Sequence, residues 1–162
     1  MTRTVFHPAQ FDLFDVTPKR IRMDGMSLPT DATSGPNCGL TAMAIAAGCT
    51  LAEARAAYLK HDPKRGNWKG GTNDFLRRKA IKDLGIKCER VNRKGYKHIS
   101  PRMTLKKFCE RHTTPGKRYI VTTTGHVQIV RGTEVIDQRG KVDINDYWGK
   151  RKMTLEILEI IE

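Results

Sequence analysis

An α+β fold is predicted by the order in which two periodicities follow one another along the chain. Apolar residues recur mainly at helical spacing up to Arg111, and β-type runs fill the chain from Tyr119 onward. Turn and cap residues punctuate both parts, with Gly48, Thr50, Asn73, Gly85, Thr104 and Gly132 each at the edge of a periodic segment. The 162 residues fit one domain, large enough to bury most of its surface without disulfide staples. The reading is an N-terminal arm over residues 1–34 and a single domain over residues 35–162.

The arm reads as irregular, with an apolar patch at Phe6, Phe11, Leu13 and Phe14 that pins it to the core or to a partner. Gly35, Pro36 and Asn37 then make a turn. The small-residue run from Leu40 to Ala47 reads as a buried helix ended by Gly48. Thr50-Leu51-Ala52-Glu53 has capping-box spacing, so a second helix starts at Leu51 and runs to about Lys60. Residues 62–73 form a basic, glycine-rich loop that fits neither phosphate-binding fingerprint, and it reads as a connection or the rim of a cleft. Phe75, Leu76, Ala80, Ile81 and Leu84 predict a third helix over about Asn73 to Leu84, with Gly85 as its C-cap. Ile86 to Val91 reads as a strand, followed by a basic loop through Pro101. Thr104 caps a short helix through Arg111, with Leu105 and Phe108 inward. Strands follow at Tyr119–Thr124, Val127–Arg131 and Thr133–Gln138. Residues Thr154–Glu162 fit a last strand or a short helix, with strand preferred.

Charge is unevenly placed. Between Lys60 and Arg118 there are 19 Lys/Arg against 5 Asp/Glu, a net of +14, so the whole excess of the chain lies in its middle. Solvated basic helices would account for it, and so would attraction to nucleic acid, an acidic protein or cell-wall polymer. The anion-binding candidates are Lys64, Arg65 and Lys69 of the loop with Arg77, Arg78, Lys79 and Lys82 of the third helix. No apolar run approaches the roughly 18–20 residues of a membrane-spanning helix, and Met1 to Arg20 lacks the apolar core of a Sec signal. Cys38, Cys49, Cys88 and Cys109 are widely spaced with no Cys-x-x-Cys pair, which argues against a zinc knuckle or a thioredoxin motif. Free thiols in a reducing, cytoplasmic setting are expected, with no metal and no cofactor.

Cys38 stands apart because it falls where the loop turns into the first helix. There the unpaired backbone N–H groups and the helix dipole stabilise a thiolate, the nucleophilic form. A Cys nucleophile needs a base, and the base needs an orienting group. The segment from Gly125 to Asp137 reads as a hairpin that carries one His and one Asp. With Arg131-Gly132 as its loop, His126 lies opposite Asp137, Cβ atoms about 4.5–5.5 Å apart. With Gly132-Thr133 as the loop, Asp137 faces Gln128 and meets His126 on the diagonal. A three-residue loop would put the two on opposite faces. Each residue alone has a plainer reading, as a buried small hydrophobe, a satisfied polar group or a turn former. His61 and His112 sit at helix ends, His98 in a basic loop and His7 in the arm.

The order Cys–His–Asp, with the Cys at a helix start and the others on later strands, resembles the papain-like cysteine peptidases. Most similar are compact bacteriocin-processing peptidases and uncharacterised phage proteins with a "GHV…V…G…V.D" hairpin, matched here over Asn37–Lys60, Arg65–Gly85 and Lys117–Asp137. The resemblance implies a papain-like domain, N-terminal helices packed against a C-terminal antiparallel sheet. It also implies Cys38 as nucleophile, His126 as general base and Asp137 as its orienter. Such enzymes carry a Gln about six residues before the Cys to hold the oxyanion, and this chain has Ala32 there. The Cys38 N–H and Asn37, Gln10 or Ser34 are the candidate donors, although Asn37 also suits a helix cap. The strand His126-Val127-Gln128-Ile129-Val130-Arg131-Gly132 also resembles that of NlpC-type cell-wall peptidases, whose Cys is usually preceded by Asp and followed by Ser-Gly. The expected function is a thiol hydrolase that cleaves a peptide or isopeptide bond in a protein or peptide substrate. It would act in the cytoplasm, that of a host or within a virion if phage-encoded. The alternatives are a cell-wall peptidase, or a non-catalytic nucleic-acid-binding or virion protein on the same scaffold.

Overall fold

The computed structural model describes residues 24–65, 70–92 and 102–162. Within them four helices, α1 (Cys38–Ala47), α2 (Leu51–Leu59), α3 (Asp74–Asp83) and α4 (Leu105–Arg111), accompany six strands. The strands are β1 (Lys87–Arg90), β2 (Tyr119–Thr123), β3 (His126–Arg131), β4 (Glu134–Asp137), β5 (Gly140–Asp143) and β6 (Thr154–Ile161). All six join one antiparallel sheet in the order β1-β6-β2-β3-β4-β5. The class is α+β, with the N-terminal helices packed on the strands.

Local signals set the helix ends. Thr50 and Glu53 form the full capping box of α2, and Asp31 accepts the Leu51 and Ala52 N–H groups as well. Asn73 accepts from Phe75 and Leu76 at the start of α3, and Thr104 accepts from Lys107 at the start of α4. Gly48 closes α1 in the left-handed conformation, φ 62°, where a side chain would be strained. Asn37 occupies the N-cap position of α1 without capping through its side chain.

Both faces of the sheet are covered, so its central strands read as continuous apolar runs rather than alternating ones. Ile120, Ile129, Ile136, Leu158 and Ile160 meet α1, α2 and α3 on one side. Tyr119, Val121, Val130, Val135 and Ile157 join Leu105, Phe108 and Cys109 of α4, with Ile144 and Tyr147, in a second cluster. Phe108 packs edge-on against Tyr119, ring centroids 5.2 Å apart. Met26, from the segment read as an arm, is buried in the α1 cluster. The apolar arm residues Phe6, Phe11, Leu13 and Phe14 lie outside the described residues, as do Gln10 and Lys69.

The inward face of α3 carries Leu76, Ala80, Ile81 and Leu84 as its spacing predicted, and departs from that reading at Phe75 and Arg77. Arg77, Ala80 and Ile81 are buried, while Phe75 is 57 % exposed. Residues 77, 80, 81 and 84 share one helical stripe and Phe75 falls off it, so the guanidinium enters the core with them. Inside, Arg77 donates to Thr72 Oγ1, Asp74 Oδ1 and Thr122 Oγ1, each at 2.7 Å. Arg77 therefore does not belong to an anion-binding face. β5 is a strand that the sequence reading passed over, because Val142 is its one apolar residue.

Candidate active site

Cys38 is the first residue of α1, half-buried, and its thiol is hydrogen-bonded to His126. The Val127 and Gly39 N–H groups also reach the sulfur. Burial opposes ionisation here, and the His126 hydrogen bond and charge with the two backbone donors outweigh it. The Cys38 thiol is held below its ordinary range. Gly39 is required by a close approach, since a Cβ there would fall 2.1 Å from Thr72 Oγ1. The first turn of α1 is thus clamped against the loop that leads into α3.

His126 opens β3, and its neighbour Val127 joins the α1 cluster while Gln128 is buried on a polar cluster with Tyr147. The hairpin pairs Arg131 with Glu134 and Ile129 with Ile136, so Gly132-Thr133 is its loop. Extending that register sets Asp137 beside Gln128 and diagonal to His126. His126 Nε2 lies 2.8 Å from Asp137 Oδ2, which leaves Nδ1 for the Cys38 thiol. Burial pulls the imidazolium down, and Asp137 together with the thiolate pulls it further up, so His126 is raised overall.

Asp137 is held by more than the histidine. Tyr147 OH at 2.9 Å and Trp148 Nε1 at 3.1 Å also donate to Oδ2, and the Arg139 N–H donates to Oδ1 at 2.8 Å. Burial would neutralise the carboxyl, yet His126, Arg139, Trp148 and Tyr147 together hold it far below the usual carboxylate range. Tyr147 is pushed up by burial and by that charge, so it remains an O–H donor. The Trp148 ring meets the His126 ring edge-on at 4.9 Å, which packs the imidazole in place. Neither Tyr147 nor Trp148 was identified from sequence. The signal available in the sequence was an adjacent aromatic pair in a polar loop.

Among the oxyanion candidates, Asn37 is buried beside Cys38. Its Nδ2 donates to Thr33 Oγ1 at 2.8 Å and its Oδ1 accepts from Thr41 at 3.3 Å. Ser34 is exposed. A groove of about 560 Å³ opens next to this turn, lined by Thr33, Pro36, Asn37, Leu40, Ala56 and Leu59 among others. Of the basic candidates, Lys64, Lys79 and Lys82 are exposed, Arg78 pairs with buried Glu156, and the side chain of Arg65 lies outside the described residues. Among the described residues no group of three or more His, Cys, Asp or Glu is placed to hold a metal, and no helix is long and apolar enough to cross a membrane. No family model, no curated protein and no solved structure matches the chain.

Proposed function

We propose that the protein is a thiol hydrolase of papain-like arrangement that cleaves a peptide or isopeptide bond through an acyl-enzyme. One observation carries the reading: the Cys38 thiol at a helix start is hydrogen-bonded to a histidine whose far nitrogen rests on a buried carboxylate. Lowering one pKa while raising the other favours a thiolate–imidazolium pair, the reactive form of such a nucleophile. In the proposed cycle Cys38 Sγ attacks the carbonyl carbon and His126 passes its proton to the leaving amine nitrogen as the C–N bond breaks. Water, deprotonated by His126, then releases the acid and restores the thiol. Asp137 keeps the imidazole oriented and stabilises its cation. The Cys38 N–H is one proposed oxyanion donor. The Asn37 amide keeps a second N–H besides the one on Thr33, and it is the other. All four cysteines are free thiols, which accords with a reducing, cytoplasmic site of action.

The test is Cys38→Ser against a mixed peptide pool read by mass spectrometry. Cleavage is expected to fall roughly 10³-fold or more while thermal stability changes little, because Ser suits a helix start. Unfolding of Cys38→Ser, or cleavage that continues unchanged, would sink the reading. A second reading, contact with nucleic acid, is favoured by Lys79 and Lys82, which are exposed on α3 without an ion pair among the described residues.

A further inference from the structure

The wall of the site beside His126 carries charge that the catalytic chemistry does not use. Trp148 is nearly half exposed, and its indole is fixed by donation to Asp137. The Arg139 guanidinium stands 4.8 Å from the Trp148 ring and the Lys152 ammonium 4.5 Å from it. Lys152 is tethered further by donation to the Thr124 carbonyl at 3.0 Å, on the turn that precedes His126. Neither cation forms an ion pair among the described residues. Asp137, the carboxylate that the indole donates to, is saturated by four donors. The ring face thus localises two cations next to the catalytic histidine and leaves their remaining donors to solvent.

Proton flow says which part of a substrate meets them. During acylation the His126 proton goes to the leaving amine, so that nitrogen must sit within hydrogen-bonding reach of the imidazole. The chain that continues from it passes over what borders His126, namely Trp148 with Arg139 and Lys152. We propose that Arg139 and Lys152, mounted on Trp148, form a subsite for acidic residues on the leaving-group side of the scissile bond. The substrate class is then a polypeptide with Asp or Glu shortly after the cleaved bond. This rests on the thiol-hydrolase reading and adds to it a direction and a charge. Two solvated cations acting together supply a preference of about tenfold, and screening reduces it as salt rises.

The experiment uses the full chain and three peptide series with a common randomised acyl side. Their leaving sides are Glu-rich, Gln-rich or Lys-rich. Cleavage is followed by mass spectrometry, and protection of Cys38 from iodoacetamide by each leaving-side peptide is measured in parallel. The wild type is expected to cleave the Glu series about tenfold faster than the Gln series and to be protected best by the Glu peptide. Arg139→Gln/Lys152→Gln is expected to bring the Glu-to-Gln ratio to about twofold or less. A Cys38 that is fast to alkylate but shows no Glu preference, or a preference untouched by the double substitution, overturns the subsite and leaves the hydrolase standing. Protection by single-stranded DNA in place of the Glu peptide overturns it in favour of a nucleic-acid ligand. A Cys38 no more reactive than a free thiol fells the hydrolase reading, and the subsite with it.

Discussion

At Cys38 two opposing effects meet, burial that resists charge and a histidine that demands it, and the histidine wins. Burial has the opposite outcome at two other thiols, pushing Cys88 up to about 11 and Cys109 up to about 12. Iodoacetamide at pH 6 is therefore expected to label Cys38 well ahead of Cys88 and Cys109. The Cys38 rate should hold up to lower pH than that of a free cysteine, which slows about tenfold per pH unit below the ordinary thiol range near 8.5. Mass spectrometry of the labelled sites checks this, and His126→Ala should restore the free-cysteine pH dependence. Because the thiol is lowered and the imidazole raised, kcat/KM for hydrolysis should follow a wide bell, its two limbs belonging to the coupled pair. Asp137 sets a second pH dependence. Its folded-state pKa lies below the unfolded value of 3.8, so its stabilising contribution is complete above that value and is lost as pH falls through the folded one. Asp137→Asn should cost about 2–4 kcal/mol at pH 7, since charge-assisted hydrogen bonds from four donors are weakened together. It should also flatten the acid limb of a denaturant-midpoint series run from pH 6 to pH 3.

At the scale of elements, α3 is held to the sheet by a polar anchor as well as by apolar packing. Arg77 reaches Thr122 on β2 and, through Thr72, the loop that presses on Gly39. Glu156 of β6 is buried 3.9 Å away and also pairs with Arg78. Arg77→Ala should destabilise the protein by about 3–5 kcal/mol in urea titrations, because it leaves Glu156 short of a countercharge in a buried site. Arg77→Lys should recover only part of this, as one ammonium cannot span the three acceptors. The same helix shows what was legible in the sequence. Its start at Asn73 was readable, as were the capping box of α2 and the cap of α4, because caps are made by residues two or three positions apart. Its buried stripe was legible at Leu76, Ala80, Ile81 and Leu84 and misread at Phe75 and Arg77, since a long-range partner decides whether a guanidinium goes in or out. Two of the three simplest hairpin registers put His126 and Asp137 on one face, and the turn, Gly132-Thr133, made the choice among the three. Tyr147 and Trp148 reach Asp137 from a loop about ten residues on, and no periodicity announces that.

Over the whole molecule, the charge segregation seen along the chain is partly undone by topology. β6 inserts between β1 and β2 and carries acidic residues from the C-terminal end into the basic middle. Glu156 meets Arg78, Glu159 meets Lys117, and Glu162 meets Arg118 at the end of the strand. Three of the 14 excess positive charges between Lys60 and Arg118 are thus paired within the fold, and Arg77 is internal as well. Lys64, Lys79 and Lys82 remain exposed and without ion pairs among the described residues, with Lys79 lying 4.6 Å from the centroid of the exposed Phe75 ring. Lys79 and Lys82 share a face of α3, and with Lys64 on phosphate as well about three counterions leave duplex DNA, so log affinity should fall with log salt at a slope near −3. Fluorescence anisotropy with a short duplex, from low salt to physiological salt, measures that slope. Lys79→Gln/Lys82→Gln should bring it to about −1 and weaken binding to every sequence alike, because phosphate contacts position a protein and do not specify bases. Phe75 as the one exposed aromatic described on α3 gives little stacking, so single strands should bind no more tightly than the duplex. Binding that ignores salt, or a slope unchanged by the double substitution, would show that this face serves solubility and that the anionic ligand, if there is one, meets the protein elsewhere.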